Sequence, residues 1–93
     1  MALMHNPPHP GLVLREYLGG IELADAASRL SVSTEALSDV LQGRSAISAD
    51  LSVRLSEALG THIGFWSGMQ MDYDLWHASC AERPRIERFE RVA

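Results

Sequence analysis

The chain has 93 residues, a formal net charge of −4 at pH 7, 46% hydrophobic residues and one cysteine. A chain of this length forms one domain with one modest core. It contains no run near the roughly 20 apolar residues that a membrane helix needs, and its first residues, MALMHNPPHP, lack the regions of a secretory signal. Because a single cysteine excludes an internal disulfide, Cys80 fits a reducing compartment. We therefore expect a soluble cytoplasmic protein with no membrane partner.

The basic residues are unevenly distributed along the chain. All eight are arginine, and four of them lie in the last eleven residues. Residues 1–81 hold four arginines against nine acidic residues, a net charge of −5. Since nonspecific DNA affinity comes largely from neutralised phosphates, so acidic a body is not a general polyanion binder. DNA binding would need a few well-placed contacts, and a protein partner is expected to be basic.

The first elements are an arm and a short helix. Residues 1–8 have two adjacent prolines and no hydrophobic periodicity, which predicts a flexible N-terminal arm. The domain itself is expected at residues 9–79. Its first helix is predicted to begin at Pro10 and to end at the glycine pair 19–20.

The next stretch, residues 24–43, has the sequence ADAASRLSVSTEALSDVLQG. Small and apolar residues recur at helical spacing on both sides of a break, which predicts two short helices joined by a tight turn. Ala26 and Ala27 let the helices cross closely, Ser33 can cap the second helix, and Gly43 can end it in the left-handed conformation. The pattern predicts a helix-turn-helix over about residues 22–43.

The second helix of this unit has a polar outer face. A DNA-reading protein meets base edges with this face of its recognition helix. The residues predicted to lie on it are Thr34, Glu35, Ser38, Asp39 and Gln42.

Two further helices complete the predicted fold. The fourth is expected to have Ser48 as its N-cap and to end at Gly60. The fifth, with Thr61 as its predicted cap, carries more large apolar side chains than one core-facing stripe can hold. The surplus implies a second buried surface, most simply a homodimer contact. The residues expected to share in that contact are Trp66, Met69, Tyr73 and Trp76.

Residues 80–93 form an arginine-rich C-terminal tail. Two interpretations of this tail remain open. It is either a solvated end or a segment that lies on the acidic body of a partner subunit, where charge complementarity would favour it.

Several motifs together resemble the HigA-type antitoxins of bacterial toxin–antitoxin operons, which belong to the helix-turn-helix repressors related to phage repressor and Cro proteins. The resemblance covers about residues 9–78. Its most specific feature is the combination of His9-Pro10-Gly11 near the start with Phe65-Trp66 and Tyr73-Asp74-Leu75-Trp76 near the end. The loop Leu41-Gln42-Gly43-Arg44 also matches, but such a loop alone would be a weak signal. It implies an all-α fold, a five-helix phage-repressor-like domain that dimerises through the C-terminal helix region.

The resemblance also implies a function. Such a protein binds a palindromic operator at its own promoter as a homodimer and pairs with a small basic toxin of the RelE-like, mRNA-cleaving kind. The operator-facing positions carried over by motif are Ser33, Thr34, Glu35 and Ser38, with Asp39 and Arg44 near phosphates. Glu35 can accept a hydrogen bond from the amino group of cytosine. Asp39 beside a phosphate is repulsive unless it faces a base or an arginine instead.

Two alternatives to this function stay open. One is an interaction-only helix-turn-helix module that binds a protein partner and little or no DNA, which the acidic body favours. The other is a stand-alone phage-type repressor without a toxin. The sequence contains no nucleophile motif, glycine-rich phosphate loop or paired inward carboxylates, so an enzyme is not expected. His77 and Cys80 are two potential ligands and make no metal site, and no cofactor is predicted.

Overall fold

The computed structural model describes residues 6–90. In that range the chain forms five α-helices and no strand, which confirms the all-α expectation. The helices are α1 (Pro10–Leu18), α2 (Leu23–Leu30), α3 (Thr34–Leu41), α4 (Ala49–Leu59) and α5 (Phe65–Cys80). Most of the predicted arm lies outside the described residues, and residues 6–8 precede α1 without regular structure. No helix in this part of the chain is both long and apolar enough to cross a membrane.

The core lies where the first four helices meet the start of α5. Burying a large apolar side chain contributes about 1.5–3 kcal/mol, and Trp66 is the largest side chain that is fully buried here. The two alanines of α2 are also buried, so this helix packs closely against its neighbours as their size predicts. The buried apolar residues are Leu14, Ala26, Ala27, Leu30, Leu37, Val40, Ile47, Leu55 and Trp66.

The His-Pro-Gly motif attaches α1 to α3. The Nδ1 of His9 accepts a hydrogen bond from the backbone N–H of Gly11 at 2.9 Å, and so caps the helix that Pro10 begins. Gly11 lies directly against α3, because a Cβ atom placed on it would be 1.9 Å from the carbonyl oxygen of Val40. Each residue of the motif therefore has a separate structural task at this contact.

The predicted helix-turn-helix is confirmed as α2, a three-residue turn and α3. The turn begins at Ser31, whose φ of 59° is left-handed, a conformation that costs a non-glycine residue about 1–2 kcal/mol. Arg54 of α4 supports it, since its Nη1 donates to the carbonyl oxygens of Leu30 and Ser31, each at 2.9 Å. Ser33 caps α3 as predicted, by accepting from the N–H of Ala36 at 3.0 Å. An arginine 23 residues away thus holds the turn in its strained conformation.

The start of α5 differs from the sequence expectation. Thr61 is not its cap, because the helix begins at Phe65 and the Thr61 hydroxyl instead accepts from the indole N–H of Trp66 at 3.1 Å. The neighbouring helix supplies the missing acceptor, since the N–H of Ser67 donates to the Oγ of Ser52 at 3.1 Å. The first turn of α5 is therefore anchored both to α4 and to the loop that precedes it.

Further along α5, Gln70 fixes the loop that follows α3. Its buried Oε1 accepts from the N–H of Ile47 at 2.8 Å, and its Nε2 donates to Asp74 at 3.0 Å. Beyond α5, residues 81–90 form neither helix nor strand. Both large apolar side chains of this segment, Ile86 and Phe89, are exposed.

The contact between α1 and α3 generates a matched pair of variants. We expect Gly11→Ala to lower the free energy of unfolding by about 1–3 kcal/mol or more, because the new methyl group overlaps the Val40 carbonyl. Gly68→Ala places a methyl group in open space on α5, and should raise stability by about 0.5–1 kcal/mol. Urea denaturation measures both. Equal effects of the two substitutions would contradict the packing described.

The buried cap of α1 predicts a pH dependence. Burial lowers the pKa of His9, and the nearby Asp74 and a hydrogen bond with the Ser45 backbone oppose that shift only in part. Between the folded pKa and about 6.5, the unfolded chain binds more protons at this residue, so stability falls as the pH drops through that range. His9→Asn keeps a capping acceptor without the titration. Thermal unfolding from pH 7.5 to 5.5 should show a shallower decline in this variant, and identical declines would refute the assignment.

Candidate nucleic-acid interface

The outer face of α3 presents the polar residues that the sequence placed there. Leu37 and Val40 turn inward to the core, whereas Thr34 and Glu35 in the first turn are exposed. Ser38 follows Thr34 by four residues and Glu35 by three, so all three side chains share one face of the helix. This face is uncovered within the described residues and is the candidate interface.

Glu35, one of the two acidic residues of α3, lies in the first turn of the helix, where its negative charge is favourable. The Ser33 hydroxyl is occupied as the helix cap. Glu35 lies in the first turn, where a negative side chain interacts favourably with the helix dipole by about 0.3–1 kcal/mol. Its carboxylate therefore stabilises the helix that presents it and remains a hydrogen-bond acceptor on the exposed face.

The other acidic residue, Asp39, is joined to Arg44. The Nε and Nη2 of Arg44 donate to the Oδ1 of Asp39 at 3.3 and 3.1 Å. The Nη1 of Arg44 donates to the Oε1 of Gln42 at 2.6 Å, and the Nε2 of Gln42 donates to the Ser38 hydroxyl at 2.9 Å. These four side chains form one continuous network along the C-terminal half of α3, which we call the α3 network.

The remaining arginines of the body also have internal partners. The Nε of Arg15 donates to the carbonyl oxygen of Leu41 at 3.1 Å and so satisfies an acceptor in the last turn of α3. Arg29 forms an exposed ion pair with Asp25. Arg54, besides supporting the turn, pairs with Asp50. Each of the four arginines of residues 6–81 is therefore engaged within the chain, and three of them hold or extend the helix-turn-helix.

The supporting roles of Arg15 and Arg54 were not predicted from the sequence. The acceptor of Arg15 is a backbone carbonyl at the end of α3, 26 residues away along the chain. The acceptors of Arg54 are two backbone carbonyls at the end of α2, 23 and 24 residues away. A carbonyl at a helix end carries no signature of residue type, so the spacing of side chains gives no signal for such contacts. The Asp39–Arg44 pair is only five residues apart, and an arginine partner for Asp39 was one of the arrangements that the sequence left open.

The four expected dimer residues differ in their exposure. Trp66 is fully buried within one chain, so no surface of it remains for a partner, and its expected share in the interface is replaced by a place in the core. Met69, Tyr73 and Trp76 are half-buried. The aromatic ring of Tyr73 packs at 4.8 Å from that of His9, which ties α5 to the start of α1.

The large apolar side chains that are exposed on α5 are not among the four residues expected in the dimer contact. Met71 and Leu75 are about half exposed and lie four residues apart, on one face of the helix. The sequence prediction assigned neither of these two residues to the dimer contact. Because the helix is apolar on more than one face, its periodicity does not show which side chains stay exposed. Helix α5 therefore has exposed apolar surface at Met71 and Leu75 in addition to the half-buried Met69, Tyr73 and Trp76.

The fold and the polar face of α3 define a helix-turn-helix protein. A family model described as "Helix-turn-helix" matches residues 14–66, which include all of α2 and α3. The chain belongs to this family. Virulence-associated protein A' of Dichelobacter nodosus is 39% identical to it over 88 residues, which cover 89% of this chain and 76% of that protein.

Solved structures place the chain more narrowly. The Pseudomonas aeruginosa antitoxin HigA, solved with the higBA promoter, matches with a TM-score of 0.74 and 37% identity, over 77% of this chain and 82% of that one. A further structure from Pseudomonas aeruginosa, of a protein in complex with its 18-base-pair operator DNA, matches with a TM-score of 0.80 and 35% identity, over 86% of this chain and 89% of that one. The resemblance to HigA-type antitoxins is thereby confirmed.

Proposed function

We propose that this chain is an antitoxin and autorepressor that binds an inverted-repeat operator as a homodimer. The observation that carries the proposal is the similarity of fold and sequence to relatives that were solved on promoter and operator DNA. The exposed polar face of α3 is consistent with it. In a symmetric dimer, two copies of α3 would enter successive major grooves about 34–36 Å apart.

In this proposal, the first half of α3 discriminates between bases. The Glu35 carboxylate can accept a hydrogen bond from the amino group of cytosine. The Ser38 hydroxyl oxygen already accepts from Gln42, which leaves its O–H as a donor for a base acceptor. Thr34, one turn before Ser38, offers a hydroxyl and a methyl group on the same face.

The protein partner in this proposal is a small basic toxin of the RelE-like, mRNA-cleaving kind. The net charge of −5 on residues 1–81 supports a basic partner, because charge complementarity raises association rates. Co-expression with the neighbouring reading frame, followed by affinity purification, tests this part. The absence of a co-purifying basic protein would favour the stand-alone repressor.

One observation favours a second candidate, the interaction-only module. The four arginines of residues 6–81 all donate to acceptors within the chain, so few cations are directly available to phosphates. A module of this kind would bind its protein partner and show no preference for its own upstream DNA. A DNA-binding assay therefore distinguishes the two candidates.

For the operator surface, we predict that Ser38→Ala and Glu35→Ala each weaken binding to the chain's own upstream DNA by about 1–3 kcal/mol, the free energy of a good base contact. Fluorescence anisotropy with labelled duplex measures the loss. Glu57→Ala on α4 is the matched control, since it removes the same charge at an exposed position outside α3. Unchanged affinity in both α3 variants would argue against base reading by these residues.

For the homodimer, we propose that α5 forms the contact through Met69, Tyr73 and Trp76 and that the exposed Leu75 contributes to it. Leu75→Glu should shift sedimentation at micromolar concentrations from dimer to monomer, because it would bury an unpaired charge in the interface. Val53→Glu changes another exposed apolar residue, on α4, and should leave the dimer intact. A wild-type chain that sediments as a monomer at high micromolar concentration would refute the dimer itself.

A further inference from the structure

We infer that Arg44 binds the edge of a guanine in the major groove and that Asp39 and Gln42 hold it in position for that contact. This inference rests on the proposed operator binding and adds a specificity-determining residue to it. It differs from the sequence expectation, which placed Arg44 beside a phosphate.

The first support for this inference is the hydrogen-bond geometry of the Arg44 guanidinium. A guanidinium has five N–H donors in one plane. Two of them donate to the Oδ1 of Asp39 and one to the Oε1 of Gln42. Two donors remain, one on each terminal nitrogen. Guanine presents two neighbouring acceptors in the major groove, O6 and N7, and a pair of arginine N–H groups is their commonest partner.

The charge of the Arg44–Asp39 pair also supports a guanine contact for Arg44. Arg44 and Asp39 form an ion pair at 3.1 Å, so the pair as a whole has no net charge to offer a phosphate. A phosphate would also be repelled by the Asp39 carboxylate. The acceptors of guanine carry no formal charge, and a hydrogen bond to them depends on direction more than on net charge. The α3 network therefore favours a base over the DNA backbone.

The network also restricts the movement of a long side chain. The carbonyl oxygen of Asp39 accepts from the backbone N–H groups of Arg44 and Ser45 at 2.8 and 3.2 Å, so Asp39 fixes the backbone of this loop as well as the guanidinium. The link through Gln42 to Ser38 ties the group to α3. An arginine that is ordered before binding loses less conformational entropy in the complex. Asp39 is accordingly a positioning residue.

The test uses the full chain and duplexes from its own upstream region, with each G·C pair replaced in turn by A·T. The wild-type chain should lose affinity about 5- to 150-fold at one G·C pair in each half-site, the effect of one bidentate contact. Arg44→Lys keeps the charge but not the planar fork, and should remove the discrimination at that pair. Asp39→Ala should reduce it at the same pair and steepen the salt dependence. Arg29→Lys, which changes a paired arginine on α2, is the control and should retain the wild-type profile.

Two results overturn the inference, and they are distinguishable. If Arg44→Lys discriminates at every base pair as the wild type does, and Arg44→Ala lowers the salt slope by about one unit, Arg44 is a phosphate contact and the inference alone fails. If the wild type binds a scrambled duplex as tightly as its upstream DNA, the proposed operator binding fails, and the inference fails with it. Because Arg44 and Asp39 are partly exposed, matching urea denaturation curves will show that the variants are folded.

Discussion

The close approach of Gly11 to the carbonyl oxygen of Val40 determines where α3 lies. Because of this contact, the start of α1 packs closely against the side of α3 that carries Val40, and the polar face on the opposite side of α3 remains uncovered. Arg15 then binds the last turn of α3, and Arg54 holds the turn that leads into it. The position of the exposed face is therefore fixed, because α1 packs against the opposite face of α3 and arginine hydrogen bonds stabilise both the turn before the helix and its last turn.

The same contacts explain how an acidic domain can belong to a family of DNA-binding proteins. The arginines of the body are few, and the structure uses them as internal donors and ion-pair partners. Affinity for DNA that came from neutralised phosphates would need those charges to be free. The two acidic residues of α3 have local explanations, Glu35 at the helix dipole and Asp39 beside Arg44. Such a surface favours directed hydrogen bonds over general attraction to a polyanion.

The features that depend on neighbouring residues could be predicted from the sequence. The alanines of α2, the capping Ser33 and Gly43, whose φ is 77°, all act within their own segment. The features that depend on tertiary contact could not. Thr61 was an acceptable cap by residue type, but the acceptor for the first turn of α5 came from Ser52 of another helix.

The candidate site shows the same division. The polar face of α3 follows from helical periodicity, because buried Leu37 and Val40 fix which side turns outward. Whether its charged residues are paired, as Asp39 is with Arg44, depends on side-chain contacts that helical periodicity does not determine. The aromatic residues of α5 are a further case: Trp66 lies in the core, although its size and position were equally consistent with an interface.

We propose that this chain binds DNA through a few directed contacts and not through its charge. The most direct measurement is the affinity for its own upstream DNA and for a scrambled duplex across a range of salt concentrations. We expect a clear preference for the upstream DNA and a slope of log affinity against log salt shallower than about −4, which corresponds to about four neutralised phosphates per complex. Equal affinity for both duplexes, with a slope of about −8, would show that binding depends on charge and not on directed contacts.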